Sequence, residues 1–87
     1  MGIILDIKYV SGEDWEGLYI HNKLVDETHS ISFKQGFELI CKYINEIKNV
    51  GEIAFDIYEI DQEWLEGVGN FPEEFDDIPS DMLEKLI

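Results

Sequence analysis

Residues 32–60 read SFKQGFELICKYINEIKNVGEIAFDIYEI, and the hydrophobic period changes partway along this stretch. In its first half Phe33, Phe37, Ile40, Ile44 and Ile47 recur at intervals of four, three, four and three residues, an amphipathic helical stripe. Ser32 and Gln35 have the spacing of a capping box, which fixes the start. Gly36 weakens the first turn by about 1 kcal/mol relative to alanine, so the regular helix is expected to begin after it. Asn49-Val50-Gly51 ends it, with Gly51 suited to a left-handed cap. Residues 52–60 then alternate: Ile53, Phe55 and Ile57 share one face, Asp56 and Tyr58 the other, as in a half-buried strand.

Working outward towards the start, residues 3–10 also alternate, with Ile3, Leu5, Ile7 and Tyr9 on one side and Asp6 and Lys8 on the other. Residues 11–14 are turn-forming, and residues 17–21 resume alternation with Leu18 and Ile20 inward, which predicts a hairpin. Residues 22–29 are polar and read as a loop, with Leu24 and Val25 packed on the body. Towards the end the pattern fades. Residues 62–70 suggest a short irregular edge strand, residues 71–79 a loop with aromatic anchors, and Ser80 a cap for a short final helix presenting Met82, Leu83 and Leu86.

The fold class is therefore α+β: a small antiparallel sheet of three to four strands, one main helix packed on one face, and a short C-terminal helix. Residues 1–87 make a single domain, since 87 residues leave little for a second. With the helix on one face, the other is expected to be open, displaying Asp6, Lys8, Tyr19, His21, Asp56 and Tyr58.

Charge narrows the function. Twenty acidic residues stand against six lysines, with no arginine, for a net of −14. Nucleic acid and anionic membrane surfaces repel such a chain, whereas a basic protein is attracted and steered. The asymmetry is internal too. Residues 1–51 hold eight acids and five lysines, a net of −3, while residues 52–87 hold twelve acids and one lysine, a net of −11. A device for solubility alone would spread charge more evenly.

Sites of chemistry are not apparent. His21 and His29 lack the spacing of metal ligands, and Asp56, Glu59, Asp61 and Glu63 lack the glycine and spacing of a calcium loop. Cys41 sits within the helical stripe as a small buried hydrophobe, and a single cysteine fits a reducing compartment. Neither an early apolar leader nor a stretch of the ~20 apolar residues a membrane span requires is visible, so a cytoplasmic location is expected. The expectation is a binding protein, not an enzyme, with no cofactor and no metal, existing free as a monomer or weak dimer. The residues expected to bind a partner are Glu13, Asp14, Trp15, Glu16, Asp56, Tyr58, Asp61 and Glu63: carboxylates for lysine and arginine, with Trp15 and Tyr58 as packed anchors. Trp15 and Trp64 each admit a core reading as well as an exposed one.

The opening Met1-Gly2-Ile3-Ile4-Leu5-Asp6-Ile7-Lys8-Tyr9 and the turn Glu13-Asp14-Trp15-Glu16-Gly17 resemble the cloacin immunity family, inhibitors of E-type ribonuclease colicins. Phe33-Lys34, the run Gly36-Phe37-Glu38-Leu39-Ile40 and the late strand Phe55-Asp56-Ile57-Tyr58 echo that family more loosely, so the resemblance covers roughly residues 1–60. It implies an acidic sheet protein that binds a basic ribonuclease toxin domain and denies it its substrate. The chain departs from the pattern where the family begins its helix with a cysteine, which is Gly36 here, and in continuing through residues 71–87. These departures leave open a toxin of another delivery system, such as contact-dependent inhibition. A different class of binder, an acidic adaptor or nucleic-acid mimic that occupies a DNA-binding protein, fits the same composition.

Overall fold

The computed structural model describes residues 2–47 and 49–87 of the chain; Met1 of the opening motif and Lys48 lie outside them. It is α+β, with a five-stranded mixed sheet and two helices. Strand β1 spans Ile3–Ser11, β2 Glu16–Ile20 and β3 Lys23–Thr28; helix α1 spans Phe33–Ile47, strand β4 Val50–Ile60, helix α2 Gln62–Val68 and strand β5 Leu83–Lys85. Two short 3-10 turns, Phe75–Asp77 and Ser80–Met82, precede β5.

The sheet order is β3-β2-β1-β4-β5. Pairs β1–β2, β2–β3 and β4–β5 are antiparallel, but β1–β4 is parallel, so the expected all-antiparallel sheet is corrected to a mixed one. The cause is the position of α1. Three strands in a meander leave the chain at the end of the sheet opposite its start. The fifteen residues of α1, spanning ~22 Å at 1.5 Å each, carry it back, so the next strand can only run alongside β1 in the same sense.

Residues 22–29 are not a loop. His21 and Asn22, with φ of 51° and 69°, form a tight two-residue turn, and residues 23–28 return as β3. Both central residues at positive φ match the type I′ geometry that suits the twist of a hairpin, and asparagine tolerates it well. The capping box is present: Gln35 N donates to Ser32 Oγ at 3.1 Å, and Ser32 N donates to Gln35 Oε1 at 3.3 Å. Gly51 is no helix cap; it lies inside β4, at the point where the register with β1 slips from Val50 to Glu52.

Both faces of the sheet are covered. On the first, Leu5, Ile7, Leu18 and Ile20 are buried beneath Leu39, Ile40, Tyr43, Ile44 and Ile47 of α1. The side chains of neighbouring positions point the other way, where Val10, Tyr19 and Ile60 are buried with Leu65, Phe71 and Ile78. The face expected to be open is thus roofed by α2 and by residues 71–78, whose aromatic anchors lie on it. Tyr19 is fully buried, and its hydroxyl donates to Pro72 O at 2.6 Å. Burial pushes that phenol well above the ordinary tyrosine range, and the nearby Glu27 and Asp77 carboxylates add to the shift. Trp64 belongs to α2, packed against this second core, rather than to an edge strand. The final helix is replaced by the 3-10 turn at residues 80–82 and by β5.

Candidate functional site

The β1–β2 turn lies at one end of the sheet, against the start of α2. Glu13 N and Asp14 N both donate to Gln62 Oε1, at 2.8 and 3.4 Å, which holds the turn with its two carboxylates exposed. Asp61 caps α2, its Oδ1 accepting from Trp64 N at 3.1 Å, and Glu63 follows in the first turn, where the helix dipole favours an acid. Glu13, Asp61 and Glu63 meet around a shallow cleft of about 550 Å³, joined there by Glu59 from β4 and Glu66 from α2. Among the described residues no lysine lines it. The structure therefore gathers Glu13, Asp61 and Glu63, places Asp14 beside them, and adds two acids that the sequence pattern did not single out. Glu66 follows Asp61 and Glu63 in α2, and only the helical reading of residues 62–68 brings it to the same cleft.

The other four expected residues are placed differently. Trp15 is partly buried against the second core, its ring edge-on to His29 with centroids 4.6 Å apart. Glu16 is a positioning residue: its Oε1 accepts from Ile31 N at 2.8 Å, fixing the lead-in to α1. The Tyr9 phenol hydrogen-bonds the same carboxylate and is raised well above the ordinary range, mainly by burial. Asp56 and Tyr58 lie away from the cleft, on the second face of the sheet. Asp56 pairs with Lys85 at 3.3 Å, and Tyr58 packs on Phe75 with ring centroids 5.1 Å apart. Tyr58 is thus no solvent-facing anchor but part of the packing that seats residues 71–78.

A second surface was not foreseen. The expected inward stripe of α1 is only partly inward, since Phe33 is 82% exposed, Phe37 51%, and no residue of α1 is fully buried. Opposite them Ile53 and Phe55 of β4, also expected inward, are half exposed. The body of the helix packs on β1 and β2, and beneath its first turns it leaves an apolar groove of about 500 Å³ bounded by Phe33, Phe37, Tyr9, Leu18, Phe55 and Ile57. The signal was available: Leu39 and Tyr43 widen the apolar arc of α1 beyond what one contact can cover. Cys41, expected to be buried, is exposed on the outer side of the helix.

Among the described residues no helix is long and apolar enough to cross a membrane. In comparison with known proteins, no family model, curated protein or solved structure matches the chain.

Proposed function

We propose that this chain is an immunity protein, an antitoxin that binds and neutralises a cognate basic nuclease, most simply a ribonuclease, in the cytoplasm of the cell that makes both. The observation that carries the reading is the acidic end of the sheet: Glu13, Glu59, Asp61, Glu63 and Glu66 around one cleft with no lysine among the described residues that line it, on a molecule of net charge −14. Held this close, like charges repel one another and cost stability, and a basic surface brought against them relieves that cost. The protein acts by occupying its partner, with carboxylates meeting the lysines and arginines that the nuclease uses on its own substrate. The resemblance of residues 1–17 to the cloacin immunity family supports the same class.

The test is co-expression with the basic nuclease encoded beside this chain. Survival is expected with the wild-type protein and is expected to be lost with Glu63→Lys combined with Glu66→Lys, both of which change exposed side chains. Association of the purified pair should slow steeply as salt is raised while dissociation changes less. Survival with the doubly reversed variant, or an association rate indifferent to salt, sinks the role given to the acidic end. Tight binding to a DNA-binding protein, with no protection from any nuclease, would favour a nucleic-acid mimic instead.

A further inference from the structure

Among the described residues, strand β4 is paired on its inner side along its length but on its outer side only at one end. β5 meets it at Tyr58, Glu59 and Ile60. Next to that, Ile57 N donates to Ile87 O at 3.1 Å, and Ile57 O accepts from Leu86 N at 2.7 Å. Backbone groups alternate sides along a strand, so the groups of Ile53 and Phe55 point outward like those of Ile57. Among the described residues nothing pairs with them. The register with β1 is regular from Glu52 onward, so residues 52–56 form a straight, open edge.

The side chains beside that edge divide by face. Ile53 and Phe55 stand opposite Leu5 and Ile7 of β1 and so share the α1 side, where both are about half exposed and Phe55, with Ile57, lines the groove left by Phe33 and Phe37. Glu52 and Asp56 stand opposite Ile4 and Lys8 on the other side. An open backbone edge and unburied apolar side chains at the same place are the two halves of a strand-addition site: main-chain bonds supply affinity and alternate side chains supply selection.

A second copy fits this edge poorly. Antiparallel self-pairing centred on Ala54 would set Glu52 of each copy opposite Asp56 of the other, and with Lys85 beside Asp56 one cation would stand against two carboxylates at each such pair, which is destabilising. Sliding the centre by one residue runs either into the register slip at Gly51 or into Ile57, whose outward groups are already bonded. The same alternation is complementary to a strand carrying lysine or arginine against the exposed Glu52, Asp56 being already met by Lys85, and apolar residues against Ile53 and Phe55.

We propose that the free edge of β4 and the apolar groove beside it receive an extended segment of a partner protein in which basic and apolar residues alternate. This deepens the reading of a basic partner and rests on it: the acidic end attracts the partner, and the β4 edge holds it.

The test uses isotopically labelled full chain and two blocked peptides of identical composition, one alternating lysine with valine, the other with its lysines and valines in separate blocks. The alternating peptide should bind about tenfold more tightly and protect the Ile53 and Phe55 amides from exchange. Phe55→Ala and Glu52→Lys should each weaken it by about tenfold while the amide spectrum of the free protein stays that of a folded chain, because both side chains are exposed. Equal affinity for the two peptides, or perturbations confined to the Glu13, Asp61 and Glu63 cleft, overturns the proposal. So does protection of Ile53 and Phe55 in the free protein at concentrations where it sediments as a dimer, since the edge would then belong to a second copy. The outcomes also separate this site from the immunity reading. A chain that binds the alternating peptide at β4 yet protects from no nuclease overturns that reading alone. Undiminished protection by Phe55→Ala overturns the edge alone.

Discussion

Gly2 and Gly51 meet backbone to backbone where β4 enters the sheet beside β1. A Cβ on Gly51 would stand 2.9 Å from Gly2 Cα and 3.2 Å from Gly2 C, so a side chain there requires one strand to move. Gly67 is the opposite case: it lies inside α2 with nothing within 4 Å of where a Cβ would stand. Gly67→Ala should therefore stabilise the protein by about 0.5–1 kcal/mol, the helix-propensity gain. Gly51→Ala should destabilise it by about 1–3 kcal/mol, the range for overpacking at a close contact. Denaturant midpoints of the two variants check the pair, and equal shifts would refute the close approach. Tyr58 makes the same point with a large residue. Its ring carries the contact to Phe75, and Lys8 Nζ lies 5.2 Å from the centre of the Phe75 ring on the same cluster. Truncating Tyr58 would therefore disturb the roof over Tyr19, a loss of fold and not of a partner contact alone.

At the scale of elements, α1 shows how local and distant determinants divide. Ser32→Ala removes the oxygen that accepts from Gln35 N and should cost about 1 kcal/mol. Ile44→Ala should cost about 2 kcal/mol or more, since Ile44 packs on the buried core, while Phe37→Ala, half exposed, should stay within about 1 kcal/mol. Thermal unfolding of the three variants checks the order, and a Phe37 loss matching that of Ile44 would mean that the groove is closed in solution. Helix α1 does not wait until after Gly36 but runs through it from Phe33. The capping box of α1, the strand phase of β4 and the β1–β2 hairpin were legible because each depends on residues within a few positions of one another. The parallel β1–β4 pair was not, because it follows from where the chain stands after four elements. Which apolar residues of β4 are covered was illegible for a related reason. Period two assigns Ile53, Phe55 and Ile57 a common face, but only the lateral placement of α1 decides whether that face is roofed. The C-terminal third failed differently: its anchors Phe71, Phe75 and Ile78 are spaced for a chain crossing a sheet face, with no repeating period to read. The acidic cleft was half legible, since Glu13, Asp61 and Glu63 were foreseen and Glu59 and Glu66 needed the helix and the turn brought together.

For the whole molecule, the two cores and the excess of carboxylates set how stability responds to alkali. Tyr9 and Tyr19 are both raised above the ordinary phenol value of 10.0, first by burial and then by neighbouring carboxylates. Below pH ~10 folded and unfolded chains both keep these protons, so the stability tied to them is fully present. Above it the unfolded chain releases protons that the folded chain retains, and stability falls as the pH rises. The exposed Lys23, raised by its hydrogen bond to Glu74, works in the same direction as it loses its charge. Each tyrosinate formed also adds to a charge that is already −14, so repulsion and linkage act together. Alkaline titration should therefore show the tyrosinate absorbance of these two residues rising together with loss of the near-ultraviolet circular dichroism, in one cooperative step. Added salt should move that step to higher pH by screening the carboxylates around the phenols and the acidic end. The Tyr19→Phe variant separates the two causes. It keeps the ring contacts to Phe71 and Phe75 but loses the bond to Pro72 O and one titrating proton, so the step should become less steep in pH while its salt response persists. Gradual appearance of Tyr19 tyrosinate in a chain that stays folded would place that phenol in contact with water, and the second face of the sheet would then be open after all.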